Sequence, residues 1–188
     1  MLFDDYQNIN FIQLHMRLIL TFSLLLILKS CKVVPEVNSE VSKEISSLTC
    51  PVEGTCKLEV IKNSHLEIKT DEFGILYPQI DDGLFMVLKF EYIRNEIPET
   101  ADSGYRELIF LQLNPEQMEM EIQNKNLSTV NLLFARLCFC RGQTGYYKIN
   151  MGRLSVKKIQ DKTYLVDLEF KTDEVPQVIN HISETFKL

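Results

Sequence analysis

The residues best equipped for chemistry in this chain are its cysteines. Apart from Cys31, they fall into two close pairs, Cys50 with Cys56 and Cys138 with Cys140. Four thiolates can satisfy tetrahedral zinc. The C-x5-C and C-x-C spacings differ, however, from the C-x2-C repeats of zinc ribbons, and the C-x-x-C arrangement that tunes a reactive thiolate is missing. Oxidation to disulfides is the favoured chemistry.

Histidine offers less. The chain has three, His15, His65 and His181, and none stands in a pattern that supplies a nucleophile or an orienting carboxylate. There is no G-x-S-x-G, H-E-x-x-H, phosphate-binding or dinucleotide-binding motif. Asp81, Asp82 and Gly83 lack the ligand spacing of a calcium loop and read as a turn. No catalytic residue, cofactor or metal is expected. One loop has binding chemistry: Arg141, Gln143, Thr144, Tyr146 and Tyr147 combine a guanidinium, an amide, a hydroxyl and two rings that can stack on a sugar or a peptide. The simpler reading, which carries more weight, is a glycine-shaped hairpin that turns one tyrosine inward and its neighbour out.

The compartment is written at the N-terminus. After Arg17 the chain is uncharged from Leu18 to Leu28, shorter than the ~20 apolar residues needed to span a bilayer. A basic flank, a short apolar run and a small residue near its end are the three regions of a secretory signal. The run closes on Leu28, Lys29, Ser30 and Cys31, and here the chain resembles a bacterial lipoprotein precursor. The resemblance implies cleavage after Ser30 and a diacylglycerol on the Cys31 thiol, so that two or more acyl chains hold the protein on a membrane. Lys32 is not the aspartate that retains some such lipoproteins at the inner membrane, which implies an outer-membrane destination. Asp4 and Asp5 are foreign to a signal, and Met16 followed by Arg17 is the natural start. Residues 1–15 are therefore read as an upstream extension, 16–30 as the signal helix, 31–49 as a polar tether, and 50–188 as the folded extracytoplasmic domain.

With Cys31 committed to lipid, the other four cysteines form an even set in an oxidising compartment, the arithmetic of two disulfides. Side chains at i and i+2 of a regular strand stand too far apart for a bridge. Cross-pairing of Cys50 and Cys56 with Cys138 and Cys140 is accordingly favoured over local loops.

The remaining composition suits a folded protein. Hydrophobic residues make up 45%, and 20 Lys and Arg against 26 Asp and Glu give a net charge of -6, which argues against nucleic acid as a partner. Period-two alternation recurs from residue 56 onward, as in half-buried strands. Leu58 and Val60 precede a turn or bend at Lys62, Asn63 and Ser64; Leu66 and Ile68 follow it. After the Asp81–Gly83 turn comes a long strand, Leu84–Tyr92, and then a polar loop with Pro98 and Gly104. Further strands are expected at Tyr105–Leu113, Met118–Ile122, Tyr146–Asn150, Leu154–Ile159 and Tyr164–Lys171, the last two joined at Asp161 and Lys162. Leu127–Cys140 begins ambiguously and ends as a strand. Val175–Glu184 is either a short helix or a loop leading to a last strand. The whole predicts a mainly β domain, an antiparallel sandwich or barrel.

Two functions fit. The preferred one is a non-enzymatic binding or assembly module, membrane-held through lipid on Cys31, with an envelope protein or glycan as partner. The alternative is an envelope enzyme, for instance a hydrolase, with dispersed catalytic residues.

Overall fold

The computed structural model describes residues 50–188. The expectations for residues 1–15, 16–30 and 31–49, Cys31 and the signal helix among them, lie outside the described residues. The described chain forms nine strands: β1 Gly54–Thr70, β2 Leu76–Arg94, β3 Tyr105–Leu113, β4 Met120–Gln123, β5 Leu132–Cys138, β6 Gly145–Lys148, β7 Met151–Gln160, β8 Thr163–Lys171 and β9 His181–Lys187. All pairings are antiparallel. They build a five-stranded sheet in the order β1-β2-β3-β5-β6 and a four-stranded sheet in the order β4-β7-β8-β9. The inner faces meet in one core, where Phe134 of the first sheet and Phe170 of the second lie 5.7 Å apart between ring centroids. The architecture is a sandwich, not a closed barrel.

The C-terminal segment is the loop-and-strand alternative: Ile182 and Phe186 alternate inward along β9 and are buried. The helical turn lies elsewhere, a 3-10 segment at Asn124–Thr129 that buries Leu127. β5 follows it, and its run of Leu132, Leu133, Phe134 and Ala135 is buried on both faces. Double-sided burial removes the alternation that marks a half-exposed strand, hence the ambiguity in sequence.

A fold of the first hairpin supplies the second covering. Of the two alternatives at Asn63, turn or bend, β1 takes the bend. It continues, and its partner β2 continues through the Asp81–Gly83 signal; Ser64 faces both Asp82 and Phe85, so the register shifts there on both strands. Asn63 takes a left-handed φ of 52°, and Gly83 passes so close to β1 that a Cβ on it would lie 2.7 Å from the Cβ of His65. These two irregularities face each other and form a corner, as bulges commonly do. Beyond it the hairpin arm lies on the outer face of the first sheet, where Leu66, Ile68, Leu76 and Ile80 pack with Val87, Leu108, Phe110, Leu133 and Ala135. The Leu66 amide donates to Gln112 Oε1 at 2.7 Å, and Asn131 Nδ2 donates to the Leu66 carbonyl at 2.7 Å. The true reversal of the hairpin is at Asp71–Ile75, where the Gly74 amide donates to the Asp71 carbonyl at 3.1 Å.

The cysteines pair locally, Cys50 with Cys56 and Cys138 with Cys140, which corrects the expected cross-pairing. Cys138 is the last residue of β5, so Cys140 lies beyond the strand in the following turn. The two Cα atoms come to 5.2 Å, within the usual range for a bridge. A loop this short constrains the unfolded chain by only ~2 kcal/mol.

Candidate functional site

One end of the first sheet gathers polar groups that belong to several strands. Register sets Tyr92 opposite both Cys56 and Glu107, Glu107 opposite Arg136, and Tyr105 opposite Cys138. Period-two geometry then puts Tyr105 and Glu107 on the same inward face as Ile109. Glu107 is 0% exposed. Its Oε1 accepts the Val178 amide at 2.7 Å and the Tyr105 hydroxyl at 2.5 Å, while Oε2 accepts the Ile179 amide at 2.7 Å. A buried carboxylate is tolerated when its oxygens are satisfied in this way. Its partners are backbone donors of the segment between β8 and β9, so it clasps that segment to the first sheet.

Tyr105 is held from both sides. Arg136 Nε donates to its hydroxyl at 3.3 Å, and the Arg94 guanidinium lies 4.2 Å from its ring centroid, a cation–π distance. Burial, reinforced by the hydrogen bond to Glu107 and opposed by Arg136, pushes its pKa up to about 12. Burial also raises Tyr147.

The loop singled out in the sequence is attached to this cluster. Arg136 Nη1 donates to both the carbonyl and Oε1 of Gln143 at 3.0 Å, and Thr144 Oγ1 donates to the Arg136 carbonyl at 3.2 Å. Tyr147 packs inward, 6.4 Å from the Phe134 ring, whereas Tyr146 joins the cluster under the hairpin arm. Arg141 is exposed. Gln143 and Thr144 thus meet Arg136, and the two tyrosines occupy opposite faces of the sheet. The Cys138–Cys140 bridge closes the other side of the loop and leaves Phe139 83% exposed. Sequence reading passed over Tyr105, Glu107 and Arg136. The available signal was parity: a glutamate in step with Ile109 and Leu111 must point into the core.

No protein-family model, curated protein or solved structure matches this chain.

The clasped segment, residues 172–180, also walls an open groove of about 970 Å³. Gln177 holds the segment's shape: its Nε2 donates to the Phe170 and Ile179 carbonyls at 3.2 and 2.8 Å, and its Oε1 accepts the Thr172 amide at 2.7 Å. Across the groove the Gly152 amide donates to Asn124 Oδ1 at 3.2 Å. Gly152 has φ 139°, and a Cβ there would lie 2.0 Å from the Glu169 carbonyl oxygen, so only glycine fits. Arg153, Glu169 and His181 stand in one cross-strand row and line the groove with Asn124, Lys171 and Asn180. His181 Nε2 lies 3.1 Å from Asp167 Oδ2, Arg153 Nε 3.3 Å from Glu121 Oε1 and Lys171 Nζ 2.7 Å from Asp173 Oδ1. Amides and charges of both signs can hydrogen-bond a polar chain lying along the strand ends. Among the described residues no cluster of His, Cys, Asp and Glu is arranged to hold a metal, and the four thiols considered for zinc are consumed in disulfides.

Proposed function

We propose that this protein is a lipid-anchored module of the bacterial cell envelope, held at the outer membrane through Cys31, which binds a polar segment of an envelope protein or glycan without transforming it. The observation that carries the binding role is the groove, whose wall is fixed before any ligand arrives. Glu107 and Gln177 between them occupy the backbone amides of Thr172, Val178 and Ile179, so little ordering entropy remains to be lost on association. The compartment rests on the signal-like residues up to Cys31 and agrees with two disulfides, which persist in oxidising surroundings.

Two measurements test the reading. The intact mass of the chain from native bacterial membranes is expected to correspond to a polypeptide that starts at Cys31 and carries lipid; an unlipidated chain retaining earlier residues overturns the anchor. Soluble cell-wall fragments, glycan carrying its peptides, are expected to raise the unfolding midpoint, since a ligand at 100 times its Kd adds about 2.7 kcal/mol. The rise should vanish in Asn180→Leu. A midpoint unmoved by millimolar fragments overturns this ligand class, and new fragment masses after incubation would favour the enzyme alternative.

A further inference from the structure

At its far end the β1–β2 hairpin carries an apolar apex. Phe73 is 81% exposed, Ile75 55% and Tyr77 39%. Ile75 and Tyr77 share the side of the arm opposite Leu76, which packs on the first sheet, so they face away from the domain. The apex is rigid. Asp71 Oδ1 accepts the Phe73 and Ile75 amides at 2.9 and 2.8 Å, the Asp71 amide donates to the Ile75 carbonyl at 2.9 Å, and Gly74 supplies the positive φ of 82° that closes the turn. Asp71 thereby spends its carboxylate on the turn backbone. The arm behind it is pinned by the Gln112 and Asn131 hydrogen bonds to Leu66.

We propose that this apex docks into the surface of the lipid bilayer that carries the chain's anchor. Three side chains on a convex tip are far short of the ~800 Å² per partner of a stable protein interface. They suit a bilayer interface, where an apolar ring enters the acyl boundary and a tyrosine sits at headgroup level. The occupant follows from where the chain outside the described residues ends: the stretch from Cys31 to Cys50, even fully extended, reaches at most roughly 65 Å. A domain tethered so closely meets the bilayer at high effective concentration, so a small insertion suffices. Asp71 and Glu72 beside Phe73 are exposed and acidic, so the tip has no attraction to anionic headgroups and the contact is made by its apolar side chains, independent of anionic lipid. This choice of partner rests in part on the lipid anchor proposed above.

The test exploits the absence of tryptophan from the chain. Phe73→Trp introduces a single indole at an exposed position, with the fold checked by an unchanged unfolding midpoint. The full lipidated chain is reconstituted into phosphatidylcholine vesicles with and without brominated acyl chains. The expected result is blue-shifted emission that loses about half its intensity to the bromines, as fits a ring ~5–10 Å below the interface. Emission that stays red and unquenched overturns the proposal. Blue emission untouched by bromine places the ring against protein and overturns it equally. If the mass shows that the chain carries no lipid, the anchor reading fails separately. The same variant is then added to preformed vesicles, where quenching upholds the apex contact and its absence refutes it.

Discussion

The Glu107 carboxylate accepts the Ile179 amide at 2.7 Å across 72 residues of chain. This contact, with its twin to Val178, fastens the β8–β9 connection to the first sheet and shapes one wall of the groove. Glu107→Ala would leave two backbone donors and the Tyr105 hydroxyl without their acceptor. It is expected to cost about 3 kcal/mol in urea unfolding and to speed amide exchange at Val178 and Ile179. Glu107→Gln should lie between, because its carbonyl oxygen serves one amide while its NH2 opposes the other. Unaltered exchange at both amides would show that the segment is held by other contacts.

Tyr105 makes stability depend on alkaline pH. Its folded pKa is pushed up to about 12 from the ordinary 10.0, so in that interval the native state binds more proton than the unfolded chain. The stabilisation is complete below pH 10 and is lost as pH rises towards 12. Unfolding midpoints measured across this window should fall, and should fall less steeply in Tyr105→Phe. An identical slope in the two proteins would remove Tyr105 as the cause.

Disulfide connectivity can be read from two peptides. Without reduction, trypsin should release the Glu44–Lys57 and Leu137–Arg141 peptides separately. Each should be lighter by two hydrogens than its reduced form, since each contains one closed pair. A single species joining the two peptides would restore the cross-paired arrangement.

The corner of the first hairpin should be intolerant of side chain at Gly83. A Cβ there would meet the His65 Cβ at 2.7 Å, so Gly83→Val must push the strands apart. The expected cost is about 1–3 kcal/mol, with faster proteolysis at Phe73 as the arm loosens. Wild-type stability and cleavage would mean that the corner relaxes without strain.

Much of the sandwich was readable from period-two alternation, because most strands keep one face on the core. Asn63 and Gly83 show where this reading stops. Residue types that favour positive φ or tight approach read as a turn or bend at Asn63 and as a turn at Gly83, and both do bend the chain. Reversal and bulge use the same local chemistry, however, and only the pairing of β1 with β2 tells them apart. The actual reversal at Asp71 and Gly74 has the Asp and Gly of a turn and was overlooked beside those louder signals. At the C-terminus, Val178, Ile179 and Ile182 suggested a helical face; the structure divides them between a clasped loop and β9. The Arg141–Gly145 loop was visible as a loop, but its partner Arg136 was not, since that contact depends on the β5–β6 register. The groove was invisible because its lining comes from segments far apart in sequence.

The two disulfides join cysteines that are consecutive among the four of the folded domain. Were the chain exported N-terminus first, as the proposed envelope location requires, each bridge could therefore seal before the next pair of thiols emerged. Oxidation in order of arrival yields the native pairing, whereas crossed bridges would require early mispairs to be undone. Refolding from the reduced state should accordingly need an oxidant but gain little from a disulfide isomerase. Covalent maturation of this domain is thus a matter of sequence order and can be finished before the sandwich closes.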